Sequence, residues 1–175
     1  MMFRRKWLEK VQGLDSRFKQ LCDLDLAWRL TLMGCKTIWL KQLTVCYREH
    51  DRNDSLNTPL QATETVDILN KFFASKQISE RIRGMEVSCR YHTMVWCAWR
   101  LYKIGHIEEM RNYLYESYSY SSKYPTQTVL SWIASFKNYF AENGDRFDVN
   151  SLITSDEWQN LIKQCLFQNL AVTNR

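Results

Sequence analysis

Residues 22–50, CDLDLAWRLTLMGCKTIWLKQLTVCYREH, decide the fold class that this sequence predicts. In the first part of the stretch, Leu26, Leu30 and Met33 recur at the spacing of one helix face. Asp23 stands in the first turn of this helix, where the partial positive charge of a helix N-terminus favours a carboxylate. The pattern therefore predicts an amphipathic helix whose start carries an acid.

The second part of the stretch changes period. Gly34 is a typical helix end, and residues 36–40 and 43–47 are short runs rich in β-branched and aromatic side chains. These runs predict two strands, and the second leads directly into Arg48 and His50. We therefore expect a compact helix–strand–strand unit. It would bring Asp23 at the start of the helix close to Arg48 and His50 after the second strand.

Three blocks of the N-terminal third carry a resemblance to a known family. They are FRRKWLEKVQGLDSRF at 3–18, DLDLAWRLTLMGC at 23–35 and REHDRNDS at 48–55. In order and spacing they resemble the acceptor-side half of a family 2 glycosyltransferase of the GT-A fold, whose pattern runs "FRR..LE.VGGFDE.F" and then "ED.DL..RL...G". Where that family has a glutamate before its base, this chain has Cys22.

The resemblance implies roles for individual residues. Asp23 matches the general base that deprotonates the acceptor hydroxyl, and Asp25 is a second catalytic acid that orients the site. His50 matches a histidine that helps to hold the divalent metal or the donor diphosphate. Arg48 and Ser55 match positions near the diphosphate. These roles suit the chemistry, because a sugar hydroxyl is a poor nucleophile without a base and a departing diphosphate needs positive charge.

The resemblance also implies a cofactor and a missing part. The intact family enzyme uses Mn²⁺ or Mg²⁺, a nucleotide-sugar donor and a sugar or lipid-linked acceptor, and it inverts the anomeric centre. Its nucleotide-binding half, with the DxD metal motif, is expected upstream of Met1. We therefore expect that this chain is inactive alone and retains no metal by itself.

Phe18 lies in the loop before the helix, and the sequence leaves two interpretations of it open. In the family this loop borders the acceptor, so Phe18 is a candidate substrate-binding residue. The alternative is an aromatic side chain that closes the edge of the core.

The chain changes character after the polar, turn-forming residues 50–59. Helical periodicity predicts helices over 58–73, 78–102, 126–140 and from about 155 onward. Residues 98–110 resemble a single tetratricopeptide-type helical hairpin, which predicts an antiparallel helix pair. We therefore predict two domains, a partial GT-A domain at 1–55 and an α-helical domain of about five helices at 56–175.

Composition bounds the remaining possibilities. The chain has 175 residues, a net charge of +5 and 45% hydrophobic residues, enough for a core. Lys and Arg are scattered, and no nucleic-acid-binding motif occurs, so we expect no nucleic-acid partner. The six cysteines are far apart and form no CxxC pair, which favours reduced thiols in a cytoplasmic protein. No run is long enough to span a bilayer, and peripheral association with a membrane is the alternative location.

The predicted fold class is therefore α+β, mostly α: a small helix–strand–strand remnant of a GT-A domain plus an α-helical bundle. The predicted function is a fragment of a nucleotide-sugar-dependent glycosyltransferase. The alternative is a helical protein-interaction module without catalysis. Two strands alone bury little and leave unpaired edges, so we expect either a dimer through the strand edge or poor order in residues 1–55. A partner protein could bind at the strand edge or on the helical domain.

Overall fold

The structure is a computed structural model, and it describes residues 2–38, 41–46, 48 and 57–172, with the side chains of the last helix described to residue 166. All regular secondary structure in this part of the chain is helical. The helices are α1 (Arg5–Lys10), α2 (Cys22–Leu32), α3 (Thr58–Phe73), α4 (Glu80–Arg83), α5 (Glu86–Lys103), α6 (Ile107–Tyr118), α7 (Pro125–Glu142), α8 (Val149–Thr154) and α9 (Asp156–Val172).

The predicted α+β class is wrong, since the described residues of the two expected strands, 36–38 and 43–46, form no strand. Their apolar side chains are exposed, with Ile38 at 86%, Leu43 at 103% and Val45 at 72%. β-branched and aromatic side chains favour strands because they pack on a half-buried pleated surface, and here no such surface covers them. Residues 39, 40 and 47 lie outside the described residues.

The chain divides into two compact units, Met1–Arg83 and Gly84–Arg175. The expected boundary after residue 55 differs from this division, because α3 belongs to the first unit. The assignment of 1–55 to a partial GT-A domain stays a prediction about the origin of that segment.

In the first unit, α1 and α2 share a small core. Val11, Leu26 and Leu30 are buried together, and Trp7 and Leu8 pack against them. Leu26 and Leu30 are therefore buried as the sequence predicted for α2, whereas Met33, expected on the same face, is 45% exposed. Helix α2 ends at Gly34 with φ +76°, and the N–H of Cys35 donates to the carbonyl of Leu30 (3.0 Å). A left-handed glycine is the usual residue for this type of helix end.

Helix α3 also begins and ends where the sequence predicted. The side chain of Asn57 accepts a hydrogen bond from the N–H of Leu60, and Pro59 occupies the first turn. Leu69 and Phe73 are buried on its inner face. These ends are set by local signals, which sequence reasoning identifies well.

The second unit contains α5 to α9. Helices α5 and α6 are joined by residues 104–106 and pack against each other, which confirms the predicted helix pair; a relation to tetratricopeptide repeats stays a prediction. The predicted helix over 78–102 is interrupted between α4 and α5, at Gly84 and Met85. Glycine is a poor helix former, and Met85 beside it is exposed.

An aromatic core holds the second unit together. Trp132 is fully buried, and its Nε1 donates to Ser117 Oγ (3.0 Å), which satisfies the indole N–H inside the core. Phe140 and Phe147 stack with ring centroids 5.3 Å apart. Ser155 Oγ accepts from the N–H of Trp158 and caps α9, the helix that the sequence predicts from about 155 onward.

Candidate functional site

The two acids at the start of α2 lie in different environments. Asp23 is exposed, and its Oδ1 accepts a hydrogen bond from the N–H of Leu24 (2.8 Å). Asp25 is 2% exposed. Its Oδ2 accepts from Arg29 Nε (2.7 Å), and its Oδ1 accepts from Lys71 Nζ. The local sequence D-x-D thus places one carboxylate in solvent and the other among cations.

Arg29 links α2 to the end of α1. Besides Asp25, its guanidinium donates to the carbonyl of Val11 (2.6 Å) and to the carbonyl of Gly13 (2.7 Å). An arginine fork has a fixed geometry, so these three bonds orient α2 against the turn after α1. Asp25 therefore holds Arg29 in place; a role of Asp25 in catalysis stays a prediction.

Lys71 of α3 joins a second carboxylate to this cluster. Its Nζ bonds Asp15 Oδ2 (2.9 Å) as well as Asp25, and Arg17 donates to both oxygens of Asp15 (3.0 and 2.7 Å). Hydrogen bonds from Arg17 and then Lys71 hold the pKa of Asp15 well below its usual range. We call these five side chains the Asp25 network: Asp15, Arg17, Asp25, Arg29 and Lys71.

Phe18 packs beside the network as a core residue. It is 8% exposed, and Lys71 Nζ lies 5.3 Å from its ring centroid. This geometry is that of a cation over an aromatic face. The position favours the second interpretation of Phe18, an aromatic that closes the edge of the core; a contact with an acceptor stays a prediction.

Glu64 of α3 binds the backbone of the three residues that precede α2. Its carboxylate is 4% exposed and accepts from the backbone N–H groups of Lys19 (2.7 Å), Gln20 (3.0 Å) and Leu21 (2.9 Å). Burial alone would raise the pKa of Glu64, but the three backbone N–H groups outweigh it and lower the pKa. Glu64 thus fixes the turn from which Asp23 projects.

Sequence reasoning missed Glu64, Lys71 and Asp15. The backbone N–H groups that Glu64 binds precede α2, so a helix end without a local cap does not predict this contact. The partner itself is 43 to 45 residues away in the chain, so no local pattern identifies it.

The structure leaves the roles of the other predicted site residues untested. Arg48 is exposed, whereas His50 and Ser55 lie outside the described residues, and their roles stay predictions. Within the described ranges, no three His, Cys, Asp or Glu side chains are grouped as metal ligands. The Asp25 network would not serve as one, because its two carboxylates already bind cations.

Comparison with known proteins gives no match among protein-family models, curated proteins or solved structures. None of the helices that the structure describes is long and apolar enough to cross a membrane.

Proposed function

We propose that this chain is the acceptor-side part of a metal- and nucleotide-sugar-dependent glycosyltransferase that is inactive without a donor-binding half. The observation that supports the proposal is the separation of the two acids at the start of α2. Asp23 faces solvent, whereas Asp25 is buried in ion pairs. A general base must reach the hydroxyl that it deprotonates, and only Asp23 is accessible to one.

In this proposal the structural residues have a positioning role. Glu64 fixes the residues that precede α2, and the Asp25 network fixes the opposite side of the helix. Both keep the turn that carries Asp23 in one orientation before an acceptor arrives. Catalytic groups act best when their supports hold them close to the reacting geometry.

The charges for the donor would come from residues 48–55. His50 would hold the metal or the diphosphate, with Arg48 and Ser55 beside it. A neutral imidazole is a common metal ligand, and an arginine binds phosphate oxygens in a forked geometry. The acceptor would be a sugar or a lipid-linked sugar. The protein would act in the cytoplasm, either away from membranes or at a membrane surface.

The base assignment predicts a large effect of one isosteric substitution. Asp23→Asn should lower sugar transfer by about 100-fold to 10,000-fold, the usual contribution of a positioned general base. The assay supplies a nucleotide-sugar-binding half as a second polypeptide and measures nucleotide release over panels of donors and acceptors. Donor binding should be unchanged, because Asn has the shape of Asp.

Asp67→Asn is the matched control, since Asp67 is an exposed acid on α3. Transfer by Asp23→Asn at the rate of the control would show that Asp23 is not the base. A wild-type chain that gives no transfer with any donor would favour the second candidate.

That second candidate is a helical protein-interaction module without catalysis. It is favoured by the second unit, whose described helices form a bundle with an aromatic core and several exposed apolar side chains. Leu130 on α7 is 64% exposed, and Val87 on α5 is 57% exposed. Exposed apolar residues are normal when scattered singly, so this observation has less weight than the arrangement of Asp23 and Asp25.

A further inference from the structure

We propose that a cavity between α2 and α3 is a binding site for a small molecule with an aromatic body and one anionic group. The proposal concerns residues of the first unit other than Asp23 and His50, and it does not depend on the glycosyltransferase proposal. The cavity has a volume of about 410 Å³. This is within the usual range of small-molecule sites in proteins.

The walls of the cavity suit an aromatic body. Trp28 of α2 and Phe72 of α3 line it. Their ring centroids lie 4.7 Å apart, and the angle between the ring planes is 59°. Leu32 adds aliphatic surface beside them. Both aromatic side chains are only half-buried, so they have area left to cover. A flat ligand would bury that area and gain an offset or edge contact with each ring.

The charged groups of the cavity favour an anion. Its lining contains Arg29, Lys71 and Lys76 but only one carboxylate, Asp25. Asp25 is already bound by Arg29 and Lys71. Lys76 is exposed and has no carboxylate within salt-bridge distance among the residues that the structure describes. Lys76 is therefore the cation available to a ligand carboxylate or phosphate at the mouth of the cavity.

The segment that carries Lys76 is held in place. Arg83 donates to the carbonyl of Phe73 (3.2 Å) and to the carbonyl of Ser75 (2.9 Å), and the N–H of Gln77 donates to Ser75 Oγ (3.2 Å). These bonds fix residues 73–77 after the end of α3. A preformed wall lowers the entropic cost of binding.

The experiment compares 2-naphthoate with its neutral analogue 2-naphthamide by calorimetry and by NMR of the indole N–H groups. We expect saturable 1:1 binding of 2-naphthoate that shifts the Trp28 resonance. The naphthamide should bind about fivefold more weakly, because an exposed ion pair contributes up to about 1 kcal/mol. Lys76→Gln should remove this preference, and Lys163→Gln, an exposed lysine of α9, should leave it unchanged.

Two further variants test the aromatic wall. Trp28→Ala should weaken 2-naphthoate at least about tenfold. Phe72→Leu keeps most of the apolar volume and should weaken it less. The proposal is overturned by any of three results: no saturable binding, equal affinity for the two compounds, or resonance shifts confined to tryptophans of the second unit.

Discussion

Asp25→Asn should lower the free energy of unfolding of the first unit by about 3 kcal/mol. The substitution removes the negative charge that Arg29 and Lys71 share and places amide hydrogens against two cations. Breaking a buried ion pair on one side costs more than the pair contributes, because the remaining charge is left without compensation. Arg29 and Lys71 keep partial access to water, which places the effect at the lower end of the usual range.

Asp23→Asn is the matched control, two residues earlier on the same helix. Asp23 is exposed, so the loss should stay below about 1 kcal/mol, the usual contribution of an acid at a helix N-terminus. Native-state hydrogen exchange at Leu26 and Leu30 measures the first unit separately from the second. Equal losses in the two variants would contradict the ion-pair arrangement. In a double-mutant cycle with Lys71→Met, the coupling energy should exceed about 1 kcal/mol.

Glu64→Ala should also destabilise the first unit by about 3 kcal/mol. It leaves the N–H groups of Lys19, Gln20 and Leu21 without their acceptor in a partly buried turn. Hydrogen bonds to a charged group contribute about 1.5 to 3 kcal/mol each, and water entering the turn recovers part of the loss. Asp67→Ala, an exposed site on the same helix, should change stability by less than about 0.5 kcal/mol. If the Gln20 and Leu21 amides kept their protection from hydrogen exchange in Glu64→Ala, their hydrogen bonds to Glu64 would be refuted.

The hydrogen bonds of Glu64 also predict how the stability of the first unit depends on pH. The pKa of Glu64 is lower in the folded state than in the unfolded chain, so its contribution is fully present above the unfolded value of about 4.5. That contribution is lost as the pH falls through the folded pKa. Asp15 acts in the same direction, since Arg17 and Lys71 lower its pKa. Urea unfolding between pH 6 and 3 should therefore show a loss of stability that is smaller in Glu64→Gln.

The sequence predicted those parts of the fold that local chemistry decides. The start of α3 follows from Pro59, the start of α9 from Ser155, and the end of α2 from Gly34. Each of these signals acts within a few residues of the boundary that it sets. Helical periodicity is likewise a local pattern, and it predicted that Leu26 and Leu30 lie on the buried face of α2.

The errors came from features that depend on distant partners. Residues 36–46 have strand composition, but a strand needs a neighbour to bond, and composition alone does not supply one. Lys71 of α3 binds Asp25, and Glu64 of α3 binds Lys19. Each contact joins residues more than 40 positions apart in the chain. The sequence predicted Asp25 as a site residue. Its burial between Arg29 and Lys71 is seen only in the structure.

One measurement tests the central proposal directly: calorimetric titration with UDP and Mn²⁺ of the chain combined with a separately supplied donor-binding half, for wild type, His50→Ala and His92→Ala. His92 is an exposed histidine of α5 and serves as the control. The glycosyltransferase proposal predicts weak, saturable and Mn²⁺-dependent binding. His50→Ala should weaken that binding about tenfold or more, and His92→Ala should leave it unchanged. No saturable binding, or binding that His50→Ala leaves intact, would contradict the proposal.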